Sequence, residues 1–366
     1  MKILQVIGSL DRGGAETFVM NVLRNIDRET YQFIFLCYGN DPFDYENEAK
    51  ELGAKVVRIP DVKAIGIMKS IAEIKKVIEE NSIDVVHVHT YYNSMFALVA
   101  AALAGVKLRI THSHNTRSEV NPSFLKRIYF TISSFVISAL TTNRLACGNE
   151  AGRALFGKSS EFTVANNGIN LKDFAYKENV RRDLRKQLAL PSRSTVLLHV
   201  GRFEAVKNHN FLIDIFAEYL KKDPSSILLL VGRGPLEDKI KQKVKSLKLD
   251  KNVRFLGVRS DVKDLYNIAD LFIFPSLFEG LPVVLVEAQA NGLPIVASDT
   301  IDQTAKLTNS MIFYSLEKTA SEWAQYLLNI SKIHVDVYKE LVGGKYDINS
   351  VVACIQEIYS RDGAVR

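Results

Sequence analysis

The sequence predicts an α/β protein built from two doubly wound parallel-sheet domains, and three observations carry that expectation. Short apolar runs alternate with longer helix-compatible stretches, the whole scheme occurs twice, and glycine-bearing loops follow several of the runs. In the first half the runs are KILQVIG (2–8), QFIFLCYG (32–39), AKVVRIP (54–60), DVVHVHT (84–90), LRITHSH (108–114) and RLACGN (144–149). Each is rich in Val, Ile, Leu and Phe with little polar alternation, as expected of strands buried on both faces. The stretches 15–26, 66–80 and 93–104 between them suit the helical crossovers that parallel strands need. The second half repeats the plan with STVLLHVG (194–201), SILLLVG (226–232), NVRFLG (252–257), LFIFPS (271–276) and PIVAS (294–298). FAYKENVRRDLRKQLALPSR (174–193), polar and charged, reads as the boundary and as a linker able to bend over about residues 173–192.

Composition narrows the function. The 366 residues, 47% of them hydrophobic, can bury two substantial cores. Cys37, Cys147 and Cys354 lie far apart without metal-ligand spacing, as core or free thiols of a reducing compartment. No signal-peptide pattern and no membrane-length apolar run is apparent, so the expected location is the cytoplasm. The net charge of +6 is modest. Lys107, Arg109, Arg117, Lys126, Arg127 and Arg144 all fall in the first half beside the apolar FTISSFVISAL, a combination that suits an anionic lipid surface or, equally, core helices with solvated lysines. No basic cluster is interleaved with aromatics, so nucleic acid is not expected as a partner.

The most informative run is EGLPVVLVEAQANGLPIVASD (279–299). Pro282 suits the first helical position and Gly292 the exit, which predicts a helix over 282–291. Glu279 then lies on the loop before the helix and Glu287 inside it, about 7 to 8 Å further along the axis at 1.5 Å per residue. A diphosphate fits between them, on the N–H groups of Gly280, Leu281 and Val283 and the positive end of the helix. Glu279 would face a sugar and Glu287 the ribose hydroxyls. The neighbours Val283, Val284, Leu285, Val286, Ala288 and Ala290 predict burial, where a carboxylate needs a partner.

GRFEAVKNH (201–209) follows the first strand of the second half. Its Arg202 and Lys207 offer a fixed guanidinium fork and a mobile ammonium to a diphosphate that gains charge as its bond to sugar breaks. With those cations present, and no Asp-x-Asp in the expected place, no metal or other cofactor is expected. SLDRGGAET (9–17) follows the first strand of the chain. Gly13 and Gly14 permit close backbone approach, without the G-x-G-x-x-G of a dinucleotide site. THSHNT (111–116) brings His112 and His114 to a strand end, with His114 the stronger candidate for the active site. His87 and His89 face one side of their strand, His89 nearer its end.

PSLFEGLPVVLVEAQANGLPIVASD, with its two glutamates eight apart, resembles the donor-site motif of retaining glycosyltransferases of family 4, which have the two-domain GT-B fold. SLDRGGAE, VGRFEAVKNH and VGRGPLEDKI agree in order, so the resemblance spans almost the whole chain. ACGNEAGRALFG (146–157) resembles the subgroup of bacterial capsule and exopolysaccharide synthesis. The resemblance implies catalytic roles for His114, Glu279, Arg202 and Lys207. It implies donor contacts for Gly13, Gly14, Gly232, Gly234, Val258, Gly280, Leu281, Pro282, Val283 and Glu287. It also implies a last helix that crosses back, giving an acceptor-side domain of 1–172 plus 347–366 and a donor domain of 173–346. His114-Asn115 departs from the family's His-Asp pair, Thr300-Ile301-Asp302 stands where a glycine pair is usual, and NGIN (167–170) replaces NGID.

The expected reaction is transfer of a hexosyl or N-acetylhexosaminyl unit from a nucleotide diphosphate sugar, UDP-sugar first, to a lipid-linked saccharide, with the inner-membrane surface a candidate partner. The alternatives are a sugar-nucleotide epimerase, a phosphorylase of similar architecture, or a non-catalytic partner in polysaccharide assembly. A site drawn from both domains requires them to approach during the reaction, which would exclude water.

Overall fold

The computed structural model describes residues 1–39, 41–115, 123–279 and 282–363, with residues 361–363 described by backbone alone. Among them two compact units form, residues 1–169 with the segment from Lys345 onward, and residues 170–344.

The first unit holds a sheet of β1 (Lys2–Val6), β2 (Gln32–Tyr38), β3 (Lys55–Ile59), β4 (Val85–Val88), β5 (Leu108–Ser113), β6 (Asn143–Ala146) and β7 (Thr163–Val164). Its order is β3-β2-β1-β4-β5-β6-β7, parallel throughout. The second unit holds β8 (Val196–Val200), β9 (Ile227–Val231), β10 (Val253–Gly257), β11 (Leu271–Phe274), β12 (Ile295–Ser298) and β13 (Met311–Tyr314). They are ordered β10-β9-β8-β11-β12-β13, again all parallel. The short β7 and β13 have no counterpart among the expected strands; two residues or an edge position give too little apolar signal.

Burial on both faces explains the unbroken apolar runs. Along β1 and β2, Ile3, Phe33 and Phe35 join one core while Leu4, Ile34 and Leu36 join the other. In β8 and β9, Val196, Leu198 and Leu229 face one side and Leu197, Leu228 and Leu230 the opposite one. The helix Ile348–Gly363 returns to the first unit and seats Ile348, Val351, Val352, Ile355, Ile358 and Tyr359 in the core that also holds Ile3, Phe33 and Phe35. Residues 364–366 of the expected returning segment lie outside the described residues.

The stretch 174–193 is not a linker. It forms the helix Glu178–Gln187, fixed to the second unit by Asp270, whose carboxylate accepts from Arg181 at 2.5 Å, from Arg185 at 3.3 Å and from the Val196 N–H at 2.7 Å. Three donors converging on a mostly buried carboxylate outweigh the polarity that suggested a flexible boundary. The two units meet in sequence instead at 169/170 and 344/345.

Candidate active site

In each sheet the strand order reverses at the first strand, between β1 and β4 and between β8 and β11, so the loops leaving those strands open at a crevice by topology. The motifs singled out in the sequence leave these strands and their neighbours.

In the second unit the loops after β8 and β9 are stitched together. The Gly201 N–H donates to the Val231 carbonyl at 2.9 Å, Phe203 N–H to Arg233 at 3.1 Å, and Leu236 N–H to Phe203 at 3.0 Å. Gly232 has φ +135°, and a Cβ there would overlap the Gly201 carbonyl; one on Gly234 would overlap the backbone of Phe203. Both glycines thus set how closely the Arg202 loop is held. Val258 follows β10, half-exposed, beside the Gly257 carbonyl that accepts from Gly232 N–H at 2.8 Å. Lys207 ends a short 3-10 turn, Ala205–Lys207, anchored to the loop after β11 by Leu277 N–H on the Val206 carbonyl at 2.8 Å and Asn208 on the Pro275 carbonyl at 3.1 Å.

That anchoring brings Lys207 to Glu279. The ammonium lies 2.6 Å from the Glu279 carboxylate and 4.7 Å above the Phe274 ring, with both charged side chains largely buried. Arg202, by contrast, is 73% exposed and pairs with Glu204 at 2.9 Å. The structure therefore joins Lys207 and Glu279 and leaves Arg202 at the surface of the same loop. The Glu279 backbone pairs with Ile301, and the Ser276 carbonyl beside it accepts from Ser298 at 2.5 Å and Thr300 at 2.9 Å.

The helix that follows spans Val283–Ala290, with Pro282 just before it at φ −69°, ψ 123°. Gly280 and Leu281, both expected to touch the donor, lie outside the described residues. Gly292 ends the helix at φ +71°, where a Cβ would overlap the Val335 carbonyl. Glu287 lies on this apolar helix, partly buried, and its Oε2 accepts from the Tyr266 hydroxyl at 2.7 Å. Burial pushes the Glu287 carboxyl up to about 7, against the lowering effect of the Tyr266 hydrogen bond. Tyr266, from the helix Val262–Ile268, escaped the sequence reading because no spacing links it to Glu287.

In the first unit Gly13 precedes the helix Gly14–Asn25. The Glu16 carboxylate lies against Gly13 where a Cβ would stand, whereas the space at Gly14 is open. Burial raises the Glu16 carboxyl above its ordinary range. Four histidines from β4, β5 and their loops gather nearby. His114 Nε2 lies 2.9 Å from His89 Nδ1, and His89 Nε2 lies 2.8 Å from Gln5 Oε1. Gln5 donates to the Tyr359 hydroxyl at 3.0 Å, which lies 2.8 Å from His87 Nδ1. His112 is fully buried under the edge of Phe18, its ring stacked on His114 with centroids 4.2 Å apart. Burial holds His114 down near 3 and the other three well below the ordinary histidine range, so all four are neutral at physiological pH. His87, His89 and His112 offer ring nitrogens within 4.8 Å of one another, close enough to hold a metal ion, but His89 already uses both of its nitrogens.

The expected basic face is narrower than the sequence suggests. Arg109 donates to the carbonyls of Leu140 at 2.7 Å and Val106 at 2.5 Å, and Arg144 to Ser138; Arg117 and Thr116 lie outside the described residues. Carbonyls at a helix end attract guanidinium groups, and that is where Arg109 goes. The three cysteines are free thiols. Among the described residues no helix is long and apolar enough to cross a membrane.

Two doubly wound parallel sheets, each with its chemical groups on loops at the strand ends, make up the GT-B architecture. The models of "Glycosyltransferase Family 4" and "Glycosyl transferases group 1" match residues 12–173 and 180–310 respectively. A putative glycosyltransferase, EpsF of Bacillus subtilis, is 36% identical over 88% of this chain and 86% of its own length. The chain belongs to this family of glycosyltransferases. It is also 25% identical, over 87% of its length and 83% of the relative, to the UDP-Gal:alpha-D-GlcNAc-diphosphoundecaprenol alpha-1,3-galactosyltransferase of Escherichia coli. Among solved structures, HepE of Anabaena in complex with UDP superposes with a TM-score of 0.79 at 19% identity, over 98% of this chain and 100% of HepE.

Proposed function

We infer that the protein is a retaining glycosyltransferase that moves a hexosyl or N-acetylhexosaminyl unit from a UDP-sugar to a lipid-linked saccharide in capsule or exopolysaccharide synthesis. The observation that carries this reading is the pair of carboxylates flanking the start of the helix Val283–Ala290, Glu279 on Lys207 and Glu287 on Tyr266. The N–H groups at the helix start receive the diphosphate, Glu287 the ribose hydroxyls and Glu279 the sugar. Lys207 and Arg202 stabilise the leaving diphosphate as its bond to the sugar breaks, so the reading needs no metal. His114 takes part from the first unit. The E. coli relative, whose name gives UDP-Gal as donor and a diphosphoundecaprenol-linked sugar as acceptor, supports both substrate classes; the Staphylococcus aureus relative CapH, 24% identical over 98% of each chain, is named for capsular polysaccharide.

The same reading includes contact with a membrane surface. On the helix Phe124–Leu140, Phe124, Leu125, Ile128, Ile132 and Phe135 project to solvent along one face, opposite the buried Ser133 and Ile137. A contiguous exposed apolar face beside the exposed Arg127 suits the headgroup region of an anionic bilayer, where a lipid-linked acceptor is held.

Incubation with a panel of UDP-sugars and a diphosphate-linked saccharide lipid tests the reading. A glycosylated lipid whose new linkage keeps the donor's anomeric configuration, read by NMR, is the expected product. Sugar phosphate would indicate a phosphorylase, an altered sugar nucleotide without acceptor an epimerase, and UDP binding without turnover an assembly partner.

A further inference from the structure

We propose that His89 is a positioning residue that holds His114 as the Nε2–H tautomer, through a hydrogen-bond chain anchored on Gln5 and on Tyr359 of the returning helix. The assignment follows from donor and acceptor arithmetic. A neutral imidazole has one N–H and one lone pair. Gln5 donates through Nε2 to Tyr359, so its Oε1 faces His89 and His89 Nε2 must carry the proton. His89 Nδ1 then holds a lone pair and accepts, and the donor to it is His114 Nε2–H. The lone pair of His114 remains on Nδ1, which is buried and has no partner among the described residues. At the far end Tyr359, having accepted from Gln5, donates its own proton to His87 Nδ1. The suppressed basicity of the four rings keeps the arithmetic to neutral species.

In that tautomer His114 has an acceptor and no donor at Nδ1, able to take a hydrogen bond from a sugar hydroxyl that reaches it and unable to donate one there. The wrong tautomer would meet the same hydroxyl with an N–H, so a fixed tautomer is worth catalytic rate even though His89 touches no substrate. The inference rests on the reading of His114 as an active-site residue, but its first test does not.

That test is two-dimensional NMR of the unliganded full-length protein with 15N-labelled imidazoles. The expected spectrum shows His114 protonated on Nε2 and bare on Nδ1, with the Nε2 proton shared towards His89. A proton on His114 Nδ1, the pattern produced if Gln5 turns its amide over and the chain reverses, overturns the inference whatever the kinetics. His89→Leu, checked for a native melting transition, should mix the two His114 tautomers and lower kcat by about 10- to 100-fold with donor KM within a few-fold, the scale of losing a partner that orients a functional imidazole. His89→Asn places an amide oxygen where Nδ1 was and should restore the single tautomer and most of the turnover. Unchanged kcat in a tautomer-mixed His89→Leu protein would also sink the proposal. If His114→Ala instead keeps full turnover, the active-site reading of His114 fails while the tautomer assignment stands.

Discussion

Glu287 shows how one side chain couples burial to ligand binding. With its carboxyl raised to about 7, the neutral form dominates in the free protein below that pH, although accepting two ribose hydroxyls calls for the carboxylate. Affinity for UDP should therefore rise with pH up to about 7, by no more than about tenfold per unit, and flatten above it. Titration calorimetry from pH 5.5 to 8.5 checks this, with Glu287→Gln expected to bind weakly and to lose the part of the slope that UDP's own phosphate does not cause. Folding stability has the opposite sign. The folded state keeps a proton that the unfolded chain releases in the ordinary carboxylate range, so this site's contribution falls as pH climbs from there to about 7. Arg202 is the second test at this scale. Its Ala variant should lose about 100-fold in kcat with UDP affinity nearly unchanged, because the diphosphate gains charge only in the transition state. Full turnover would leave it a solvated partner of Glu204. The placement of Glu279, Glu287 and Lys207 on loop, helix and turn was legible because glycine, proline and helix-end signals fixed their places along the chain. Tyr266, Gln5 and Tyr359 were not, since an aromatic or an amide in an apolar run looks the same whether it fills space or holds a polar neighbour.

The elements themselves were the most legible layer, for a strand buried on both faces must be apolar without interruption, as VLLHV and ILLLV are. The segment Glu178–Gln187 was misread because its tertiary partner, Asp270, is invisible to local polarity. Gly232 tests how two loops depend on one backbone position. Gly232→Ala meets both a left-handed φ and the Gly201 carbonyl, so it should cost roughly 1 to 3 kcal/mol, read in a thermal melt, and weaken UDP binding by displacing the backbone expected to touch the donor at Gly232 itself. A native melting curve with native UDP affinity would show that the loop adapts freely. The helix Phe124–Leu140 makes a prediction of a different kind. Replacing Phe124, Leu125 and Phe135 by Ser removes exposed apolar surface without touching the core, so stability should hold while co-sedimentation with anionic vesicles drops. Equal sedimentation of the triple variant and the parent would remove the membrane from the proposal.

At the scale of the whole molecule, one unit is continuous in sequence and the other is not. Residues 170–344 contain all the strands and both cores of their unit, so that segment expressed alone should melt cooperatively and bind UDP by calorimetry. Residues 1–169 alone lack the six core side chains from Ile348 to Tyr359 and should remain loosely packed, without a sharp transition by circular dichroism. A cooperative melt of 1–169 would show that the last helix is dispensable. The same discontinuity has a consequence for synthesis on the ribosome. At roughly 5 to 20 residues per second, the last helix emerges on the order of ten to forty seconds after β7, so the first half of the nascent chain waits with an open apolar groove while the later-made unit completes itself. That waiting groove is closed only when the side chains from Ile348 to Tyr359 arrive, which ties completion of the first-made unit to the last-made helix.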